Sequence, residues 1–143
     1  MYHYKESGLQ NVWLVNGYAV HKTKHGKGVS IQNVQELHCF IGSVLAKKPH
    51  LTGCELRFLR KEMEMSQSAL GRLLGTSEQN ISLWERRGRV PKTSDRLIRL
   101  IYLEHTGKNP KIVELIERIN QLDSQKQEKM TLAANDGNWK VAA

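Results

Sequence analysis

The chain has 143 residues, of which 39% are hydrophobic, and this suffices for one compact domain or one small domain with an extension. A net charge of +8 favours a polyanionic partner, because lysine and arginine side chains that neutralise phosphates release condensed counterions. No apolar run is long enough to cross a bilayer, and the polar segment 1–6 lacks the apolar region of a signal peptide. We therefore expect a cytoplasmic, nucleoid-associated protein that does not enter membranes.

The cysteine and histidine residues do not form a recognisable ligand pattern. Cys39 and Cys54 are too few and too far apart for a disulfide framework or a Cys-x-x-Cys metal site, so we expect two reduced, half-buried packing residues. His21 and His25 would share one face of a helix, which is the argument for zinc. The lysines and glycines around them favour a basic loop that contacts phosphate or solvent. We expect no metal ion and no cofactor.

The first 50 residues predict a small unit of one β-hairpin and one helix. The β-prone runs 12–15 and 18–20 flank Asn16-Gly17, a preferred pair for a type I′ turn, and a short strand can follow at 29–31. This turn would place Trp13 opposite Val20. Apolar side chains then recur at helical spacing, which predicts an amphipathic helix from Asn33 to Lys47.

Residues 51–105 contain closely spaced helix caps. Thr52 and Glu55 are spaced as a capping box, and the same type of cap recurs at Ser66. Gly75 suits the left-handed position after the second of these helices. The basic side chains of the first helix are expected to form its solvated face: Arg57, Arg60 and Lys61.

Two further helix starts follow. Thr76 or Ser77 can cap the third helix of this region, and after the turn at Pro91 a fourth helix is expected to start at Thr93 or Ser94. Asn109-Pro110 predicts a fifth helix, since proline suits the first helical position. Its apolar stripe consists of Ile112, Leu115, Ile116, Ile119 and Leu122. From Ser124 to the end the periodicity fades, which predicts a flexible tail over 124–143.

The segment 66–85 contains the pattern with the clearest functional meaning. Two short capped helices are separated by a glycine-containing turn, the arrangement that lets a second helix enter the major groove of DNA. Ala69 is small where the two helices are expected to cross closely. The apolar side chains predicted to face inward are Leu70, Leu73, Leu74, Ile81 and Trp84.

Residues 51–103 resemble the Cro/C1 (Xre-type) helix-turn-helix family. The likeness rests on the opening Leu-Thr-Gly-Cys-Glu-Leu-Arg-Phe-Leu-Arg-Lys, the caps, the turn glycine and the signature Ile-Ser-x-Trp-Glu at 81–85. Within that family the DNA-binding domain of MqsA-type antitoxins is the most similar. The resemblance implies a mainly α fold, a five-helix domain over 51–123 preceded here by the unit at 1–50. It also implies a symmetric dimer and palindromic operators.

The resemblance also implies roles for individual side chains. Leu83 stands where many relatives have arginine, and we expect it to contact a thymine methyl group. The positions that read bases are Glu78, Gln79, Asn80, Ser82 and Leu83. The positions that contact phosphate are Gln67, Ser77, Trp84, Arg86, Arg87, Arg89 and Lys92.

These observations predict a dimeric, sequence-specific repressor that reads an inverted-repeat operator in double-stranded DNA. Two regulatory settings remain open. The protein is either the antitoxin of a toxin–antitoxin pair that represses its own operon, or a phage or mobile-element regulator without a toxin partner. The cysteine-based zinc module found in relatives of MqsA is absent here, which weakens the inference of a toxin partner. The sequence contains no phosphate loop, nucleophile elbow or His-Glu-x-x-His pattern, so we do not expect an enzyme.

Overall fold

The computed structural model describes residues 1–107, 111–122 and 130–142. Within these ranges the fold is mainly α-helical with short β-hairpins. The helices are α1 (Val34–Ala46), α2 (Gly53–Glu62), α3 (Gln67–Leu74), α4 (Glu78–Arg87), α5 (Lys92–Thr106) and α6 (Lys111–Leu122). The strands are β1 (Tyr2–His3), β2 (Trp13–Leu14), β3 (Tyr18–Thr23), β4 (Gly26–Ile31), β5 (Leu132–Asn135) and β6 (Asn138–Val141). None of the described helices has both the length and the apolar character needed to cross a membrane.

The hairpin predicted around Asn16-Gly17 does not form, so this prediction is wrong. Strand β2 pairs with β1, which places Trp13 opposite His3, and β3 pairs with β4 in a six-residue antiparallel register. Gly17 has a φ of +80°, but Asn16 is not among the residues with positive φ, so the type I′ turn does not form. The six-residue ladder with β4 satisfies more backbone hydrogen bonds than the three-residue pairing that the sequence predicted.

Helix α1 confirms the helix expected from Asn33 to Lys47. Asn33 caps it, with the side-chain oxygen accepting a hydrogen bond from the backbone N–H of Glu36 at 3.4 Å. One face of α1 enters the core through Ile41 and Leu45. Cys39 lies on another face and is exposed, and Cys54 on α2 is exposed too, so the expectation of two half-buried cysteines is wrong.

The helix caps of the middle segment were predicted correctly. Thr52 and Glu55 form the capping box of α2, and Ser66 and Ser77 accept hydrogen bonds at the starts of α3 and α4. Gly75 ends α3 with a φ of +70°.

Helix α5 differs from the prediction at its first residues. It starts at Lys92, directly after Pro91, and has no side-chain cap, so the expected start at Thr93 or Ser94 is wrong. A proline before the first helical residue presets the backbone for the turn, and here it takes the place of a capping hydroxyl.

A single hydrophobic core extends across residue 50, where the sequence predicted a boundary between two units. Tyr4, Leu9 and Ile41 belong to the same buried cluster as Leu56 and Ile98. Helix α1 packs against α5 and α2.

Polar contacts also tie the connection between α1 and α2 to α5. Arg99 donates hydrogen bonds to the backbone carbonyls of Lys48 and Pro49, and the buried carboxylate of Asp95 accepts one from the N–H of Leu51 at 2.7 Å. Arg99 also forms an ion pair with Asp95.

The C-terminal segment contains a hairpin where we expected a tail without regular structure. Strands β5 and β6 pair in register around Asp136-Gly137, whose φ angles are +52° and +81°. Both positive values fit a type I′ turn, so the prediction of a tail is wrong for 132–141. The predicted start of the fifth helix at Asn109-Pro110 lies outside the described residues. In α6, Ile112 and Ile116 pack against the core.

Candidate nucleic-acid interface

Helices α3 and α4 form a tight pair joined by residues 75–77. Leu70, Leu73 and Ile81 are buried between the helices of this region. The closest approach is at Gly71, where an added Cβ would lie 2.8 Å from the carbonyl oxygen of Thr76. Ala69, which the sequence predicted at the crossing, is exposed instead and faces α6 beside a shallow depression. The glycine therefore performs the role that we assigned to the alanine.

A second glycine sets the position of α2 against the end of α4. A Cβ on Gly53 would lie 2.3 Å from the carbonyl oxygen of Glu85 and 2.6 Å from that of Trp84. No side chain other than hydrogen fits there, because both neighbours are backbone atoms. Trp84 itself is half-buried and packs against the core, which leaves part of its ring accessible.

The carboxylate of Glu85 is the polar centre of the three-helix arrangement. Its side chain is fully buried, and its Oε1 accepts a hydrogen bond from Nε of Arg60 at 2.8 Å. Its Oε2 accepts one from Nε2 of Gln67 at 2.6 Å. A buried charge of this kind is tolerated only when it is paired and hydrogen-bonded. The network therefore fixes α2 and α3 relative to α4.

This network contradicts one predicted assignment and constrains the orientation of a second side chain. Arg60 was expected on a solvated face, but its side chain is 11% exposed and bound to Glu85 and to the carbonyl of Met65. Gln67 was expected at a DNA phosphate, and its amide nitrogen is already bound to Glu85. Arg60 and Glu85 are 25 positions apart, and no local sequence pattern predicts that they pair.

The predicted base-reading side chains lie on the outer side of α4. Glu78 and Gln79 are exposed, and Ser82 and Leu83 are half-buried. A shallow depression of about 330 Å³ is lined by Gln67, Glu78, Gln79, Ser82 and Arg86. The structure thus brings members of both predicted groups, base-reading and phosphate-contacting, to one polar surface.

Asn80 differs from its neighbours because its amide is already bound. Its Nδ2 donates a hydrogen bond to Oγ1 of Thr76 at 2.8 Å, and its backbone N–H donates to the capping Oγ of Ser77 at 3.2 Å. This bond uses one of the two amide hydrogens, so a base contact by Asn80 has to fit the side-chain orientation that Thr76 sets. Gln79 carries no such constraint among the hydrogen bonds of the described residues.

A cluster of exposed cations lies at the end of α4 and just beyond it in the chain. It consists of Arg86, Arg87, Arg89 and Lys92. Gly88, with a φ of +76°, ends α4 within this cluster and lets the chain reverse towards α5. Within the described residues none of these four cations forms an ion pair with a carboxylate, so their charge is available to an anionic ligand.

The two histidines singled out by the sequence lie in the β3–β4 ribbon. His21 lies in β3 and its Nε2 is 2.9 Å from Oγ of Ser30, while His25 lies in the turn before β4. Among the described residues no three His, Cys, Asp or Glu side chains group together as metal ligands.

His38, by contrast, connects three segments in a way that the sequence does not reveal. Its Nδ1 is 2.8 Å from Oε1 of Glu62, and its Nε2 is 2.8 Å from Oη of Tyr4. Burial raises the pKa of the Tyr4 phenol. The contact holds the N-terminal segment against α1 and α2.

Comparison with protein-family models, with curated proteins and with solved structures finds no match to this chain. The resemblance of residues 51–103 to the Cro/C1 family therefore stays a prediction.

Proposed function

We propose that this protein is a dimeric, sequence-specific DNA-binding repressor that places α4 in the major groove. The observation that carries the proposal is the position of the exposed Gln79 amide and the half-buried Ser82 hydroxyl on the outer side of α4. Four exposed cations follow them, and none forms an ion pair among the described residues. An α-helix fits the major groove, where each base pair presents a distinct set of donors and acceptors. Polar groups that read bases and cations that hold phosphates are the two elements that such a helix needs.

In this proposal Gln79 reads bases most directly. Its amide can donate to N7 and accept from N6 of adenine in a bidentate pair, and Glu78 can accept from N4 of cytosine. Ser82 adds a contact of low selectivity, and Leu83 meets a thymine methyl group. Asn80 joins them in the orientation that its hydrogen bond to Thr76 sets, because its second amide hydrogen and its Oδ1 can still pair with a base.

The cations after α4 supply affinity and orientation. Arg86 and Arg87 at its end, with Arg89 and Lys92 beyond the turn, would contact the phosphates on one side of the groove. Gln67, Ser77 and the exposed part of Trp84 complete the predicted phosphate contacts. The Glu85 network is a positioning device, because it fixes the helix that carries these groups.

The dimer proposal rests on the apolar surface of α1. Phe40 is 66% exposed, Trp13 55% and Val44 49%, and they border a groove of about 400 Å³. Such a patch on a small protein indicates an interaction site.

The charges on α1 favour a second copy of the chain as the occupant of this groove. Glu36 lies in the first turn of α1 and Lys47 follows the last turn. An antiparallel pair of α1 helices across a two-fold axis would bring each glutamate near the lysine of the other copy.

A second candidate function is that of an antitoxin, in which a small toxin occupies the same apolar groove. The groove favours it, because the exposed side chains of Phe40 and Trp13 offer an apolar surface to a protein partner. Co-expression of the full chain with the short reading frame adjoining its gene discriminates the two. Neutralisation of toxicity that is lost in a Phe40→Asp variant supports the antitoxin function. An intact dimer in that variant would assign the groove to the toxin.

The first experiment on DNA binding is selection of a preferred duplex from random DNA, followed by titration at two salt concentrations. We expect an inverted repeat with half-sites about one helical turn apart, bound at least about 10³-fold more tightly than scrambled DNA. Equal and steeply salt-dependent binding to both duplexes would reduce the protein to a nonspecific DNA binder.

A further inference from the structure

The β3–β4 ribbon carries the most strongly basic exposed surface outside the α4 region. Lys22, Lys24 and Lys27 lie at its tip together with His21 and His25, and all five side chains are exposed. The sequence contains no aspartate or glutamate between Glu6 and Glu36. No carboxylate of the described residues forms an ion pair with these lysines.

Two of the lysines lie directly opposite each other. The register of the ribbon pairs Lys22 with Lys27, one position before the pair Thr23–Gly26 that borders the turn. Like charges at directly opposed positions destabilise a β-ladder. Neither lysine contributes to the core. An anionic ligand outside the molecule would relieve this repulsion.

The opposite face of the ribbon carries few side chains from β4. His21 pairs with Gly28 and Thr23 pairs with Gly26, so that the strand β4 has no side chain there at two successive positions. The backbone does not require glycine at 28, because its φ is not positive and an added Cβ would meet only the carbonyl oxygen of His21, at 4.0 Å. A glycine that the fold does not need, inside a strand, is typical of a close approach by a ligand.

We infer that the β3–β4 ribbon is a second DNA-binding element, which contacts the phosphate backbone of double-stranded DNA without reading bases. A two-stranded ribbon has dimensions that a DNA groove accepts, and the lysines at its tip neutralise phosphates. The inference extends the proposed function of α4, since it supplies the same polyanion with a sequence-independent contact. The base preference comes from α4, and the ribbon adds affinity and salt dependence.

The test is the triple variant Lys22→Gln/Lys24→Gln/Lys27→Gln in the full-length protein. Its control is Lys5→Gln/Lys61→Gln/Lys111→Gln, which removes the same charge from three exposed lysines elsewhere. Binding to a random-sequence duplex is titrated over a range of salt concentrations. Each lost phosphate contact lowers the slope of log K against log salt by about 0.9, so the ribbon variant should lose about 2 to 3. The control should keep a slope close to that of the wild type.

Two results would overturn the inference. One is a ribbon variant whose salt slope equals that of the control. The other is a ribbon variant that loses binding to phosphatidylserine vesicles but keeps its binding to DNA, which would make the ribbon a membrane contact. Thermal unfolding followed by circular dichroism checks that the variant is folded, and removal of the opposed charges should leave its stability unchanged or higher.

The same measurements separate this inference from the proposed function. If selection finds no preferred duplex but the ribbon variant loses its salt slope, α4 does not read bases and the ribbon still binds DNA. If a preferred inverted repeat is found and the ribbon variant retains the full slope, the repressor function stands and the ribbon inference fails.

Discussion

At the scale of single residues, the structure separates side chains that are free to meet a ligand from those that hold the fold. Gln79 is exposed, whereas the amides of Gln67 and Asn80 are bound to Glu85 and Thr76. The sequence predicted a phosphate contact for Gln67 and base contacts for Gln79 and Asn80, without indicating which of these amides is already bound. Hydrogen-bond partners of a side chain depend on its neighbours in space, and these are known only once α2, α3 and α4 are packed.

The first prediction concerns the contrast between base reading and phosphate binding. Gln79→Ala should weaken binding to the selected duplex by about 1–3 kcal/mol and relax the base choice at one position. Arg87→Ala should weaken binding to all duplexes similarly and lower the salt slope by about one unit. Titration of the selected and scrambled duplexes measures both. An equal loss on both duplexes for Gln79→Ala would remove its base-reading role.

The second prediction concerns the buried carboxylate. Glu85→Ala should lower the free energy of unfolding by about 3–5 kcal/mol, because it leaves the guanidinium of Arg60 buried without its partner. The double variant Arg60→Met/Glu85→Leu should lose much less. Urea denaturation measures both. Equal destabilisation of the single and the double variant would show that packing, and not the ion pair, stabilises this site.

At the scale of elements, the chain contains two segments that look like type I′ hairpins, and only one forms. Asp136-Gly137 joins β5 and β6 with both φ angles positive, whereas Asn16-Gly17 joins strands that pair with other partners. The turn signal is equally local in both cases. The outcome differs because β3 finds a longer partner in β4 and because β1 is available to β2. The helix caps, in contrast, depend on residues three positions apart and were predicted from sequence.

The third prediction concerns the crossing of α1 and α5. The two helices approach closely there, since a Cβ on Gly42 would overlap the hydroxyl of Tyr102. Burial of this phenol raises its pKa from 10.0 to about 12. In the unfolded chain the phenol ionises near pH 10. Below pH 10 the protonated phenol makes its full contribution to the free energy of unfolding, and this contribution is lost as the pH rises towards 12. The loss is about 1.4 kcal/mol for each pKa unit.

Urea denaturation between pH 8 and 12 tests this linkage. We expect the wild type to lose stability over the last two units more steeply than Tyr102→Phe, which has no phenol to ionise. Parallel curves for the two proteins would rule out Tyr102 as the cause.

At the scale of the whole molecule, the arrangement of surfaces suggests how the protein is used. The polar and cationic surface of α4, the basic β3–β4 ribbon and the apolar groove beside α1 are three separate regions of one folded unit. The core that carries them extends across residue 50. Under the proposed function, we expect changes at α1 to affect assembly and changes at α4 to affect base choice.

The fourth prediction concerns assembly. Phe40→Asp should convert the dimer to a monomer and weaken binding to the inverted repeat much more than to a single half-site. Sedimentation equilibrium measures the first effect, and titration measures the second. Gln35→Glu, an added negative charge at an exposed position of the same helix, is the matched control and should remain dimeric. A wild-type protein that sediments as a monomer at all concentrations would contradict the proposed dimer.

The sequence by itself determined the elements whose signals are local. The start of α1 at Asn33, the capping box of α2 and the end of α3 at Gly75 follow from residues within one helical turn. The tertiary structure alone decided which strands pair, that Gly71 and not Ala69 marks the helix crossing, and that Arg60 is bound to Glu85. Those outcomes depend on contacts between residues far apart in the chain, whose free energies local propensity does not contain.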